Sequence, residues 1–128
     1  MMDNSTRETL IQGYIQAYND VDVDKMMSYL DDDVHFVNIA NGEINLSLIG
    51  RRAFWDQARQ AADFFSQRTQ TVVSYDHRTE ETEIDVEYHA VLAVDLPNGL
   101  QRGQVLNMKG KSIFWFKDEK IGALTDMS

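Results

Sequence analysis

An α+β fold, with helices gathered ahead of and against an antiparallel sheet, is predicted by three features of the sequence. Apolar residues recur at helical spacing through Leu10, Ile11, Tyr14, Ile15 and Tyr18, and again around Phe54 and Ala58. After Ser66 the period falls to two and stays there. Turn signals at Thr79-Glu80-Glu81, Pro97-Asn98-Gly99 and Lys117-Asp118-Glu119 then cut that second half into long strands. The 128 residues are expected to form one domain, 1–128, with no linker, repeat or low-complexity segment.

The first helix is expected from near Ser5, where Ser5-x-x-Glu8 has the form of a capping box, to Asn19-Asp20. Asp22 is a good N-cap for a second, shorter helix, whose apolar stripe is Val23, Met26, Met27 and Leu30. The run Asp31-Asp32-Asp33 is expected to close it. Val34, Phe36 and Asn38 then alternate with His35, Val37 and Ile39 as a strand. Asn41-Gly42 marks a tight turn. Gly50-Arg51-Arg52 leads into a third helix with the stripe Phe54, Ala58, Ala61, Ala62 and Phe65. Its small alanines imply close packing on something flat, such as a sheet. Strands over 68–78, 83–95, 103–117 and 120–127 complete an antiparallel meander.

Alternation assigns the faces. Ile84, Val86, Tyr88, Ala90 and Leu92, with Leu106, Met108, Gly110, Ser112, Phe114 and Phe116, are expected on the concave, helix-covered side. The other side carries Asp85, Glu87, His89, Lys109 and Lys111, but also Val91, Ala93, Ile113 and Trp115. A fully solvated face has no need of those four apolar residues. They point to a subunit contact, and a homodimer is the expected partner arrangement.

Composition removes several function classes. Lys and Arg number 12 against 21 Asp and Glu, a net charge of −9. A nucleic-acid-binding face displaces counterions with clustered basic residues, and the longest cluster here is Arg51-Arg52. The same charge opposes an acidic membrane surface. With no cysteine there is no thiol chemistry and no cysteine-based zinc site. Met1-Met2-Asp3-Asn4-Ser5 lacks the basic and apolar regions of a signal peptide, and no apolar run approaches a membrane span. A cytoplasmic protein is expected. His35, His77 and His89 lie on separate strands with outward parity, so no metal site and no cofactor is expected. A β-bulge would reverse parity and turn His89 inward, which keeps it a minor candidate.

Four segments carry a family resemblance. They are Tyr14-Ile15-Gln16-Ala17-Tyr18-Asn19 followed by Asp22-Val23-Asp24; Leu30-Asp31-Asp32-Asp33-Val34; Ile49-Gly50-Arg51-Arg52-Ala53-Phe54; and Phe114-Trp115-Phe116-Lys117-Asp118-Glu119-Lys120-Ile121. In this order the chain resembles the nuclear transport factor 2-like superfamily, and within it the SnoaL-like and ketosteroid isomerase-like proteins. The resemblance implies a cystatin-like cone, in which a curved antiparallel sheet wraps around N-terminal helices and leaves a pocket at the open end. The fold hosts isomerases, cyclases, dehydratases, hydrolases and plain binding or assembly modules, so it does not fix an activity.

The resemblance also places residues. A helix-one tyrosine stabilises the oxyanion in the steroid isomerases, and Tyr14 stands at that position. Their general base is an aspartate late in the first strand, where this chain has Asn38. A carboxamide has no basic lone pair at neutral pH. Their protonated aspartate falls at Ser112, a weaker donor. Steroid isomerisation of the known type is therefore not expected. Cyclase and epoxide-hydrolase relatives place an acid elsewhere on the sheet, including near the last strand. Asp126 is the candidate here, sharing inward parity with Leu124. A carboxyl inside an apolar cone has its charged form destabilised, which moves its pKa toward a useful range.

Each candidate has a plain structural alternative. Asp126 is either an acid/base group or a solvated carboxylate near a chain end. Tyr14 and Tyr18 are pocket donors or core tyrosines. Asn38, Ser112 and Tyr88 contact a ligand or fill the strand ends. Trp55, one residue off the Phe54 stripe, is a rim residue or part of a lid. Three functional readings are open. One is a small-molecule acid/base enzyme acting on an apolar, oxygenated compound, with Asp126 moving the proton and Tyr14, Asn38 and Ser112 holding the oxygen. The second is a non-catalytic binding module for such a ligand. The third is a dimeric assembly domain whose pocket is closed by Phe36, Met108 and Phe114.

Overall fold

The computed structural model describes residues 2–128. Three helices lie on one side of a six-stranded sheet that curves around them. The elements are α1 (Asn4–Asn19), α2 (Val23–Ser28), β1 (Leu30–Ala40), β2 (Glu43–Ile49), α3 (Arg51–Ala62), β3 (Phe65–His77), β4 (Glu81–Leu92), β5 (Val105–Lys117) and β6 (Lys120–Met127). The strand order is β2-β1-β6-β5-β4-β3. All pairs are antiparallel except β1 with β6. The accessible surface is 7510 Å², against ~6,900 Å² from mass scaling. The excess fits a sheet that curls without closing.

The core lies between α1 and the concave face. Ile11, Leu30, Val34, Ile84, Phe114 and Ile121 are fully buried there. Phe54 of α3 stacks on Phe36 of β1 with ring centres 4.4 Å apart, which anchors α3 to the sheet. Gly13 lets α1 sit close to the C-terminal end of α2, since a Cβ there would lie 2.5 Å from the Tyr29 ring. Asn41 and Gly42 both take positive φ, 54° and 77°, in the hairpin turn that joins β1 to β2.

Five local expectations change. Phe65, expected in the stripe of the third helix, opens β3 instead. The α1 cap is Asp3, whose side chain accepts from the Thr6 N–H at 2.8 Å, so Ser5 lies inside the helix. An anionic cap suits the positive end of the helix dipole. Glu8, the expected partner of Ser5, accepts instead from His77 Nε2 at 2.7 Å. The acidic run Asp31-Asp32-Asp33 does not end α2. It belongs to β1, because Leu30 and Val34 on either side are both drawn into the core. Asp32 pairs with Arg51 and Asp31 with Lys117.

Strand β2 is an addition to the expected elements. Ile44, Leu46 and Leu48 alternate in it with polar residues, and Leu46 and Leu48 pack on the core. The last change is a bulge in β3. Val72 pairs with Val86 and Ser74 with Asp85, so Val73 is extra. Parity reverses beyond it, and His77 turns inward to Glu8 and to Thr82 Oγ1, 2.9 Å from Nδ1. His89 precedes no such bulge; it stays exposed and bonds Asn107 at 2.8 Å.

The convex face is less apolar than its sequence implied. Asp85, Lys111, Glu83 and Arg78 form a charged lattice across β4, β5 and the turn after β3. Val91 and Ala93 lie at one end of this face, Ile113 lies opposite Glu83 within the lattice, and Trp115 lies further toward the other end. Val91 pairs with Val105, eight residues of β5 from Ile113, or roughly 26 Å at strand spacing. All four residues are half-buried within the protomer.

Candidate functional site

Sheet register brings the chemistry together. Asn38 of β1 lies beside Asp126 of β6, which lies beside Ser112 of β5, which lies beside Ile84 of β4. Two residues toward the open end, Gly110 lies opposite Val86; two further, Met108 lies opposite Tyr88. All of these side chains are on the concave face, and α1 crosses above them with Tyr14 and Tyr18. The result is a cleft of about 170 Å³ lined by Tyr18, Asn38, Tyr88, Gly110, Ser112 and Asp126, among others.

Asp126 is the most perturbed carboxyl in the protein. It is half-buried and accepts a hydrogen bond from Ser112 Oγ at 2.7 Å. No cation is paired with it among the described residues. Loss of water pushes its pKa up to about 6, and the Ser112 bond only partly opposes that. The group therefore exchanges a proton near neutral pH. Ser112, expected to meet a ligand oxygen, spends its hydroxyl on Asp126.

Tyr18 and Tyr88 line the cleft with that carboxyl, and Tyr14 is buried within reach of its charge. Tyr14 is 5% exposed and packs edge-on against Phe114. Burial raises its pKa well above the usual value, and the Asp126 charge adds to this. The Tyr18 hydroxyl donates to the Tyr88 oxygen at 3.1 Å. Burial raises the Tyr88 pKa too, with Tyr18 contributing. Tyr14 and Tyr88 thus stay protonated and able to donate. Asn38 lines the cleft, with its Nδ2 donating to Asn45 Oδ1 at 2.8 Å, which leaves its Oδ1 to accept.

Trp55 is not brought to this site. Its Nε1 donates to Asp24 Oδ1 at 2.8 Å and its ring lies between the guanidinium groups of Arg52 and Arg59. That arrangement pins α3 to α2. A larger hollow of about 540 Å³ lies at the other end of the sheet, near Asp3, Arg7, Glu80 and Phe116. It is a wide polar bowl without a perturbed acid facing a tyrosine, and Arg7 there is tied to the carbonyls of Arg78, Thr79 and Glu81. No cluster of three or more His, Asp or Glu is placed to hold a metal ion among the described residues.

Arg68 has no counterpart among the sequence-based candidates. It shares inward parity with Gln70 and Val72 on β3 and is only 6% exposed. An arginine in line with inward-facing strand positions was the available signal.

Residues 11–123 match the SnoaL-like domain family. The chain belongs to that family. Among solved structures, it is similar to TsrD from Streptomyces laurentii, with a TM-score of 0.81 and 13% identity over 98% of this chain and 90% of that one. A candidate polyketide cyclase from Xanthomonas campestris pv. campestris gives a TM-score of 0.77 and 22% identity over 97% of this chain and 90% of that one. A protein with a ketosteroid isomerase-like fold from Catenulispora acidiphila, solved with trimethylamine, gives 0.76 and 12% over 91% and 82%. These likenesses establish the fold: the SnoaL-like cone within the nuclear transport factor 2-like group. No curated protein matches the sequence. No helix is long and apolar enough to cross a membrane among the described residues.

Proposed function

We propose that this SnoaL-like chain is an acid/base enzyme acting on a small, mainly apolar, oxygenated compound, by isomerisation, cyclisation or dehydration. One observation carries the reading. Asp126 is a carboxyl with no cation partner among the described residues, held by one neutral hydroxyl, titrating near pH 6 and sharing its cleft with Tyr18 and Tyr88. As carboxylate, Asp126 takes a proton from carbon next to a carbonyl. The C–H electron pair moves to the carbonyl oxygen, and a tyrosine hydroxyl stabilises the charge that develops there. Asp126 then returns the proton at a second atom. Asn38 supplies a further polar contact, and no cofactor enters these steps.

Cleft size limits the ligand. A cavity of about 150 Å³ holds one benzene-sized ring, so about 170 Å³ accommodates one ring of the substrate with its oxygen substituents. The test is deuterium wash-in at the acidic carbon of aromatic 1,3-diketones in D₂O, followed by NMR. Wild-type protein is expected to catalyse exchange and Asp126→Asn to lose it with the fold intact. Exchange that survives Asp126→Asn removes Asp126 from the mechanism. An Asp126 carboxyl carbon titrating at or below the ordinary ~3.9 turns the reading toward a binding module. The protein is proposed to work as a homodimer joined through the convex face, with Trp115 and Ile113 in the contact.

A further inference from the structure

We infer that the cleft is a receptor for an anionic oxygen, a carboxylate, phenolate or enolate on a one-ring ligand, contacted by the Tyr18–Tyr88 hydroxyl pair and favoured by Arg68 behind it. Arg68 is a charge without a counter-charge. Burying a guanidinium away from water is costly unless a carboxylate or a full set of acceptors compensates it. Among the described residues, no carboxylate is in ion-pair reach of Arg68. Its Nε donates to the Tyr18 carbonyl at 3.3 Å. Its guanidinium lies over the Tyr18 ring, 3.9 Å from the centre. Its Nη2 is buried and has no hydrogen-bond partner among the described residues.

Arg7 supplies the contrast. It is as deeply buried, and among the described residues only its Nε lacks a partner, because Nη1 and Nη2 are spent on three backbone carbonyls and the Thr82 hydroxyl. Arg68 has one carbonyl and one ring. Its charge reaches the cleft through Tyr18, and it acts on Tyr14 and Tyr88 in the direction that favours negative charge near them. The Tyr18 hydroxyl uses its proton on Tyr88. The Tyr88 O–H is then left to donate, from the cleft wall, to whatever oxygen lies there. An anion at that position receives a hydrogen bond and supplies the charge that the protein withholds from Arg68.

The enolate form of this ligand rests on the acid/base reading above, since the proton leaving carbon goes to Asp126 as the electron pair moves to oxygen. Binding of a ready-made anion does not need that step. Arg68 is a positioning residue in this account: it sets the charge preference of the tyrosine pair without touching the ligand. Lys109 and Lys111 also border the cleft, and Lys111 is engaged with Asp85 and Glu83 on the convex side.

The probe is 4-nitrophenol, whose absorbance reports whether it is bound as phenol or phenolate. Measurements in wild type and in Asp126→Asn, which removes the competing carboxylate, are expected to show phenolate bound more tightly by roughly tenfold. Arg68→Met should abolish that preference, Arg68→Lys should restore part of it, and Tyr88→Phe should weaken it while leaving the fold unchanged. Lys109→Gln should not alter it. Binding as neutral phenol, equal preference in Arg68→Met, or no binding at millimolar probe overturns the inference. If Arg68→Met fails to fold, the Arg68→Lys and Tyr88→Phe comparisons decide. Wash-in that survives Asp126→Asn alongside an Arg68-dependent phenolate preference sinks the acid/base reading and leaves the anion site standing.

Discussion

Replacing Asp126 by asparagine should stabilise the protein by an amount that depends on pH. The native carboxyl titrates at about 6 instead of the ordinary 3.8, because folding strips water from it. At 1.36 kcal/mol per pKa unit, that shift costs the folded state about 3 kcal/mol once the group is ionised. The sign comes from proton counts. Below the unfolded value, Asp126 is neutral in both states and nothing is lost. Between the two values the folded chain holds a proton that the unfolded chain has released, so stability falls as pH rises. Above the folded value the cost is constant. Asparagine cannot ionise, and its Oδ1 still accepts from Ser112, so the variant escapes the penalty and keeps the bond. Urea denaturation of both proteins from acid to mildly alkaline pH should show equal stability at the acid end. A gap should open through the titration range and level off at about 3 kcal/mol, a ceiling because the carboxyl is only half-buried. The other carboxylates are common to both proteins and cancel in the difference. A flat difference would show that Asp126 is solvated. One that shrinks with pH would show that a cation holds it, and the proposed chemistry would fall with it.

Three further outcomes are expected. Val21 takes a φ of 56° although it is β-branched and 49% exposed, so Val21→Gly should raise thermal stability by about 1 kcal/mol, and a loss would show the left-handed turn to be unstrained. Gly13→Ala should destabilise by ~1–2 kcal/mol despite the better helix propensity of alanine, because the added methyl meets the Tyr29 ring; combining it with Tyr29→Leu should recover the loss, and no recovery would point to another cause. Trp115→Lys should shift sedimentation from dimer to monomer, while an unchanged profile would move the contact elsewhere.

The helical stripes, the meander and the inward parity of Asp126 were all readable in sequence, because each is a period that burial enforces over many residues. Strand β2 was readable too, in Ile44, Leu46 and Leu48, but a seven-residue strand next to a turn signal is easily absorbed into a loop. The inward turn of His77 was not legible: it depends on one extra residue, Val73, whose bulging is decided by the register with β4. Parity also placed Asn38 and Ser112 on the right face, but it carried no information on what their side chains would bond. The significance of Arg68 was hidden for a different reason. A sequence shows that a guanidinium exists, whereas the lack of a counter-charge is a property of everything folded around it.

Strand β6 comes after every other element along the chain, yet it lies between β1 and β5. Until it arrives, the sheet is two separate pieces, a hairpin of β1 and β2 and a three-stranded meander, each with an open edge where β6 will insert. Asp126 arrives on the same strand that joins them. A ribosome-bound or truncated chain that has not yet folded residues 120–127 therefore has neither a finished sheet nor an acid in its cleft. Completion of the sheet and delivery of Asp126 to the cleft come in one step.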